Sequence, residues 1–174
     1  MGVEDLAPEL SRAERAGDNP PHVVGSGAAE TVVPGSMRLL KGEEEANFYV
    51  GRGEGGQICL VVEVLNENDV VASSCTSIVD FNSEGIALQV YAIDEEAGSV
   101  FDRTAYYLPA DVDISEIVSQ VPDAGSEGGT VTSGPESAHL LVVDTAETDD
   151  LTSVVVPRGD GGTFRFNPLS GDNV

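Results

Sequence analysis

Residues 57–75 read QICLVVEVLNENDVVASSC, two runs of β-type residues on either side of a polar turn at 66–68. If the runs pair as antiparallel strands, Leu65 faces Asp69, and counting outward places Cys59 opposite Cys75. The same register sets three apolar residues of the first run beside three residues of the second on one largely apolar face: Leu60, Val62 and Val64 beside Ser74, Ala72 and Val70. Two independent patterns therefore favour the same register for a β-hairpin.

The two cysteines carry the most specific expectation. Directly opposed strand residues can meet the Cβ separation of a disulfide, so the register predicts a bond between Cys59 and Cys75. The alternatives are two buried thiols, or a metal or redox pair. Two cysteines 16 residues apart with no histidine nearby lack the four-ligand pattern of structural zinc. A disulfide would indicate an oxidising compartment.

Short β-type runs continue through most of the chain from residue 36, with turn residues between them. This spacing favours antiparallel hairpins over βαβ units. We therefore expect a single α+β domain over 36–170, mainly antiparallel β-sheet built from hairpins, with two short helices. Residues 1–35 contain four prolines and few apolar residues at a fixed spacing, which indicates a linker or a loosely ordered N-terminal arm. A Gly/Ser-rich loop is expected over 123–137, before two or three final strands.

Two helices have recognisable start and stop signals. The first is expected to begin after Ser77 and to stop at Gly85. In the second, Asp113 as the N-cap and Glu116 three residues later form the pattern of a capping box. This second helix is expected to end near residue 121.

A glycine pattern precedes the cysteine hairpin. Gly51, Gly53 and Gly56 spell G-x-G-x-x-G, the spacing found in dinucleotide-binding loops. Such a loop needs a helix after the glycines, because the helix N-terminus holds the pyrophosphate. The residues that follow Gly56 are instead rich in β-branched side chains. We interpret the pattern as a hairpin turn and predict no nucleotide or other cofactor.

The charge restricts the classes of partner. The chain has 31 acidic and 8 basic residues, a formal net charge of −23. Such a surface repels phosphate backbones and anionic lipids, which argues against nucleic-acid and membrane-surface partners. Solubility or salt tolerance explains the acidity; cation binding or attraction to a basic partner is the alternative. No segment reaches the roughly 18 apolar residues needed to span a bilayer, and the N-terminus lacks the pattern of a signal peptide.

Candidate catalytic groups are few. His22 lies in the Pro-rich arm, where a preorganised site is hard to build, and His139 begins an apolar strand, where an edge or core role is favoured. A nucleophile elbow of the G-x-S-x-G type is absent. A hydrolase that uses two carboxylates stays open as a weaker alternative. We predict no catalytic residue and no enzymatic activity.

Two acidic segments are candidate metal sites. Residues 111–116 resemble the start of a calcium loop, but Glu116 stands where glycine is needed and Pro122 where the bidentate Glu should be. The cluster at 144–150 could hold a weakly bound divalent cation, although a solvated acidic loop between strands is favoured. We predict no metal ligand.

Four residues of two predicted strands bear on binding. If one of Tyr91, Tyr106 and Tyr107 faces outward, it would indicate a binding surface. Arg103 is interpreted as a surface ion-pair partner rather than as a ligand anchor.

Several of these residues form a wider pattern. It comprises Cys59-Leu60-Val61, Ala72-Ser73-Ser74-Cys75, Phe81 and Gly85. This pattern resembles uncharacterised actinobacterial cell-envelope proteins, membrane-anchored or secreted, with a two-cysteine β-rich extracellular domain. The resemblance covers most of 36–168 and is specific only at the cysteine core. It strengthens the disulfide and implies an extracellular location, but it carries no activity.

The chain departs from that pattern because it lacks the membrane helix, which suggests either a truncated chain or a soluble member. The expected function is a non-catalytic extracellular domain of the cell envelope with an interaction or structural role, whose partner is an unidentified protein or envelope component. The alternative is a cytoplasmic, acidic, salt-adapted regulatory protein with reduced thiols. The oligomeric state is not predictable from the sequence.

Overall fold

The computed structural model describes residues 2–66, 68–120, 129–134 and 137–169, without the side chains of 129–134, 137, 138 and 147. Its first sheet has four strands, hydrogen-bonded in chain order and all antiparallel. The predicted register is confirmed, since Cys59 pairs with Cys75 and Val64 with Val70. The four strands are β1 Arg38–Gly42, β2 Ala46–Arg52, β3 Ile58–Val64 and β4 Val70–Thr76.

The remaining strands form a second sheet and a separate hairpin. The second sheet contains β5 Ile86–Asp94, β6 Ser99–Leu108, β7 Gly129–Gly134 and β8 Ser137–Asp144. Its strand order is β5-β6-β8-β7, again antiparallel throughout. The separate hairpin consists of β9 Val154–Pro157 and β10 Thr163–Phe166. This arrangement confirms the predicted α+β class with mainly antiparallel sheets.

Short helices lie between these strands and before them. The described residues contain five, three more than the two predicted, and each of the additional ones spans a single turn. They are α1 Val3–Leu6, α2 Pro21–Val24, α3 Ile78–Glu84, α4 Ser115–Val118 and α5 Thr145–Thr148.

The two sheets pack face to face around the main hydrophobic core. Even-numbered residues of β3 point into this core, where they meet apolar side chains of β5, β6 and β8. The outer face of the second sheet is covered in part by the β9–β10 hairpin and α4. The sandwich therefore has a central core, a second core outside the second sheet and a third outside the first sheet.

The outer face of the first sheet is covered by the N-terminal arm, which we define as residues 2–35. Val23, Ala29 and Val32 of the arm are buried there against Tyr49 and Val61. Further upstream, the arm closes part of the central core with three buried residues: Leu6, Ala7 and Leu10. The prediction of a linker or a loosely ordered arm over 1–35 did not anticipate this packing.

The first helix and the glycine turn form as predicted. Ser77 is the N-cap of α3, its hydroxyl accepting from the amide of Asp80, and Gly85 ends the helix with a positive φ. The glycine pattern lies in the turn between β2 and β3, where Gly55 and Gly56 have φ of 70° and 82°. The nucleotide-loop geometry, a strand followed by a helix, is not formed.

Other local predictions were wrong. Helix α4 begins one residue later than expected, and Asp113 accepts from the amide and hydroxyl of Ser115 instead of forming a capping box with Glu116. This short-range turn satisfies the Asp113 carboxylate before the helix begins. Residues 129–134 form β7 and not a loop, because the β-branched Thr130, Val131 and Thr132 pair with β8. The expected loop residues up to 128, and residues 135 and 136, lie outside the described residues. Residues 145–148 form α5, where a loop was expected.

A buried ion pair holds the arm to the edge of the first sheet. Asp18 is 1% exposed, and both its oxygens accept from the guanidinium of Arg12 at 2.7 Å. The Asp18 carboxylate also accepts from the amides of Leu39 in β1 and of Arg15. Burial by itself raises the pKa of Asp18, but the hydrogen bonds from Arg12, Leu39 and Arg15 outweigh it and lower the pKa to about 2.

We predict that Asp18→Asn lowers the free energy of unfolding at pH 7 by about 3 kcal/mol, since it leaves Arg12 without its charged partner. The folded pKa of Asp18 lies below the unfolded value of about 3.9, so its contribution is complete above pH 4 and disappears as the pH falls towards 2. Urea denaturation should therefore show the two proteins converging in that window. Glu95→Gln, an exposed carboxylate, is the matched control and should behave as wild type throughout. A constant difference from pH 6 to pH 2 would contradict this account.

Candidate functional site

The predicted cysteine pair lies beneath the arm on the outer face of the first sheet. The Sγ atoms of Cys59 and Cys75 are 2.03 Å apart, disulfide-bonding distance, and their Cα atoms are 4.0 Å apart. Cys59 is fully buried, and the hydroxyl oxygen of Thr31 lies 3.5 Å from Cys75 Sγ. A Cβ atom on Gly53 would come within 2.8 Å of Cys59 Sγ, so glycine is required there for the close approach. Cys59 is thus covered by the sheet and the arm, whereas Cys75 is half-buried.

A buried carboxylate lies further along the same face of β3. Glu63 is 3% exposed, and its Oε2 accepts from the hydroxyl of Tyr49 at 2.8 Å and from the side-chain amide of Asn47 at 3.1 Å. Its Oε1 is bonded to Nε2 of His22 in the arm. Four side chains from two strands and the arm therefore meet in one cluster, which we call the Glu63 cluster.

The environment of the Glu63 cluster keeps the carboxylate ionised. Burial raises the pKa of Glu63, but the hydrogen bonds from His22, Asn47 and Tyr49 together outweigh it, so the pKa is lowered overall. Burial, reinforced by the neighbouring Glu63 charge, raises the pKa of Tyr49. Tyr49 therefore stays a neutral donor and Glu63 a charged acceptor across the physiological range.

This arrangement is poorly suited to acid–base catalysis. A carboxyl group that acts as a general acid has a raised pKa, whereas the pKa of Glu63 is lowered. Both Glu63 oxygens already have partners, and the residue is closed off by the arm. The cluster instead ties the arm to β3, and it gives His22 a structural partner that the sequence did not reveal.

The basic residues of the second sheet and of the β9–β10 hairpin neutralise nearby acids. Arg103 lies within 3.4 Å of carboxylate oxygens of Glu43, Glu45 and Asp144, which agrees with its interpretation as an ion-pair partner. In the connection between β9 and β10, Arg158 donates to both oxygens of Asp111. These pairs engage residues from both segments considered as metal sites.

Acids of both acidic segments have partners within the chain. Within the described part of the chain, no three His, Cys, Asp or Glu side chains are grouped so as to hold an ion. Asp111 faces Arg158, Asp113 faces Ser115, and Asp144 faces Arg103. The side chain of Glu147 lies outside the described residues.

The remaining singled-out residues separate into buried and exposed ones. Tyr107 is buried and donates to Glu9 of the arm at 2.6 Å, and Tyr106 is buried with its hydroxyl accepting from the amide of Leu169. His139 Nδ1 lies 3.0 Å from the carbonyl oxygen of Pro109. Tyr91 alone among the three tyrosines is exposed, at 58%. The outward-facing tyrosine anticipated from the sequence is therefore Tyr91.

Tyr91 belongs to a part of the second sheet that the β9–β10 hairpin does not cover. Ile93 lies on the same face of β5, and Val100 lies opposite it on β6. Both are about half exposed, at 47% and 57%. Asp102, directly opposite Tyr91, completes this surface, which we call the open face.

Comparisons with known proteins add no identity. No protein-family model, curated protein or solved structure matches this chain. The resemblance to actinobacterial envelope proteins therefore stays a prediction. Across the described ranges, no helix has the length and apolar character needed to cross a membrane.

We predict that Tyr49→Phe lowers the free energy of unfolding by about 2 kcal/mol, since it removes a buried hydrogen bond to a charged acceptor. Tyr91→Phe removes the phenolic oxygen from an exposed tyrosine and should change the free energy of unfolding by less than about 0.5 kcal/mol. Chemical denaturation at pH 7 compares the two variants. Equal effects would show that the Glu63 cluster does not stabilise the arm.

Proposed function

We propose that this chain is a non-catalytic extracellular domain of the cell envelope that acts through binding or as a structural module. The observation that carries the proposal is the Cys59–Cys75 pair on the outer face of the first sheet. Its two cysteines occupy directly opposed positions on adjacent strands, and they lie at bonding distance. A stable disulfide of this kind belongs to an oxidising compartment.

The polar clusters support a non-catalytic role. The buried carboxylates of Asp18 and Glu63 have lowered pKa values and act as anchors of the arm. A cavity of about 50 Å³ near Phe101, with Glu45 and Asp94 in its wall, has room for only a few water molecules. Substrate pockets are several times larger. These features favour binding at the surface over chemistry in a cleft.

The charge supports a particular kind of partner. A net charge of −23 disfavours nucleic acid and anionic lipid and favours a protein or envelope component that is neutral or basic. The cytoplasmic alternative, an acidic salt-adapted regulator with reduced thiols, shares this charge. The two proposals differ in the oxidation state of Cys59 and Cys75. A carboxylate-dependent hydrolase would need a raised pKa at an accessible acid, and the two most buried carboxylates have the opposite shift.

We expect protein isolated under non-reducing conditions to contain no free thiol when it is denatured and alkylated for mass spectrometry. During equilibration with graded reductant, the bond should persist to potentials below about −300 mV, as structural disulfides of secreted proteins do. Two free thiols in the folded, freshly isolated protein would overturn the extracellular proposal and favour the cytoplasmic alternative.

A matched pair of variants tests whether the bond is structural. The double variant Cys59→Ala with Cys75→Ala should lose about 3 kcal/mol of unfolding free energy, the value expected for a closed loop of this length. Ser74→Ala with Thr76→Ala alters the neighbouring positions of β4 and leaves the cysteines in place. If the two double variants were equally stable, the disulfide would have no structural role.

A further inference from the structure

The open face is half of a sheet surface whose other half is covered. On the outer side of the second sheet, Tyr106 and Leu108 of β6 pack beneath the β9–β10 hairpin. Towards the β5–β6 turn the cover ends, and Tyr91, Ile93 and Val100 are exposed beside one another. Each of the three residues has strong β-propensity, so they keep the strand conformation without a cover.

The free edge of β5 adjoins this face. Strand β5 is the end strand of its sheet and is hydrogen-bonded to β6. The Ile93 carbonyl accepts from the side-chain amide of Asn68 at 3.3 Å, and this contact indicates that the carbonyl points away from β6. In an antiparallel strand, backbone groups alternate between the two edges, so Ala87, Gln89 and Tyr91 also direct their amide and carbonyl groups outward. In the described part of the chain, these outward amide and carbonyl groups of β5 make no backbone–backbone hydrogen bond.

The β1 edge of the first sheet is protected, in contrast. Both backbone groups of Leu39 are bonded to arm side chains, the amide to Asp18 and the carbonyl to Arg12. At β4, the other end strand, the arm is bound through a side chain, since the hydroxyl of Ser73 donates to the carbonyl of Ala28. Proteins block exposed strand edges because a free edge pairs with other chains. The unblocked edge of β5 is therefore a site at which another strand can pair.

The charge around the open face selects the partner. Asp94 is the last residue of β5, and Glu95 and Glu96 follow it in the β5–β6 turn. Asp102 lies within the face itself. One oxygen of Asp102 is buried and has no hydrogen-bond partner among the described residues. A second copy of the chain would bring the same acids and the same net charge of −23 against this surface. Like charges repel, so the complementary partner is basic.

We propose that the free edge of β5 binds an extended, basic segment of a partner protein, which adds a strand to the second sheet beside the open face. Backbone hydrogen bonds from the outward row of β5 provide affinity. Alternate side chains of the added strand lie on the open face, where apolar ones contact Tyr91 and Ile93 and a lysine or arginine pairs with Asp102. Basic residues at the end of the segment pair with the acidic turn. This inference rests on the proposed binding role and specifies its surface and its partner.

A synthetic peptide tests the proposal with the intact chain. The probe is a fluorescein-labelled nine-residue peptide, about as long as β5, in which threonine alternates with valine, tyrosine and lysine and which ends in two lysines. Its apolar and basic side chains therefore share one face. Fluorescence anisotropy should show binding that weakens at least about tenfold between low and high salt. Tyr91→Thr with Ile93→Thr should weaken binding by at least about tenfold, because the apolar contacts are lost while β-propensity is kept. Val79→Thr with Val155→Thr, at exposed apolar positions elsewhere, should bind as wild type.

Two further peptides separate strand addition from general attraction to an acidic protein. A peptide with alternate backbone nitrogens methylated keeps its charge but cannot complete the added ladder, so it should bind at least about tenfold more weakly. A peptide with glutamate in place of lysine should not bind. Equal binding of the methylated peptide, or equal binding to both double variants, would overturn the proposal, as would failure of the basic peptide to bind.

Hydrogen exchange supplies a second readout on the wild-type protein. The amides of Gln89, Tyr91 and Ile93 should exchange more slowly when the basic peptide is bound, and unchanged exchange there would also overturn the proposal. The outcome of the peptide-binding experiments is independent of the outcome of the thiol measurement. Free thiols with intact peptide binding would reject the extracellular role alone, whereas an intact disulfide without binding would reject this docking edge alone.

Discussion

Burial of β3 on both faces is the constraint on which the structure depends. All seven residues of this strand are buried. Because side chains alternate along a strand, its even-numbered residues need the second sheet and its odd-numbered residues need a different cover. The arm provides that cover over Cys59, Val61 and Glu63. A sandwich without the arm would expose an apolar face and leave a charged residue without its partner.

The charge of the molecule is organised around the same requirement. Few cations are present, and three arginines pair with acids that are buried or partly buried: Arg12 with Asp18, Arg103 with Glu43, and Arg158 with Asp111. A buried carboxylate is tolerated only when it is paired or fully hydrogen-bonded. The acids left without cations lie mostly at the surface, where water and salt screen their repulsion. The strong acidity is thus compatible with a stable fold because Asp18 and Glu63, the fully buried carboxylates of the described residues, each have donors.

The features that could be predicted from sequence were those governed by local periodicity. The β3–β4 register followed from alternation and from the position of two cysteines, and helix α3 followed from Ser77 and Gly85. The arm could not be predicted, because its apolar residues have no fixed spacing and their burial depends on a distant sheet. A signal for its anchor was present in Glu63, a lone charge within an apolar strand, which indicates a buried partner. Strand β7 was missed because a Gly/Ser-rich composition conceals pairing that only β8 provides.

The outer faces of the two sheets are covered to different extents, and this difference leaves one surface available for binding. The first sheet has its outer face sealed by the arm, and arm residues bond to both of its edge strands. The second sheet is covered only in part, and the uncovered part coincides with the free edge of β5 and with the acidic β5–β6 turn. Stability does not require this coincidence, since a polar residue in place of Tyr91 or Ile93 would suit an exposed strand better. Retaining apolar side chains there is understandable if another chain covers them, and the acids around them restrict which chain can do so.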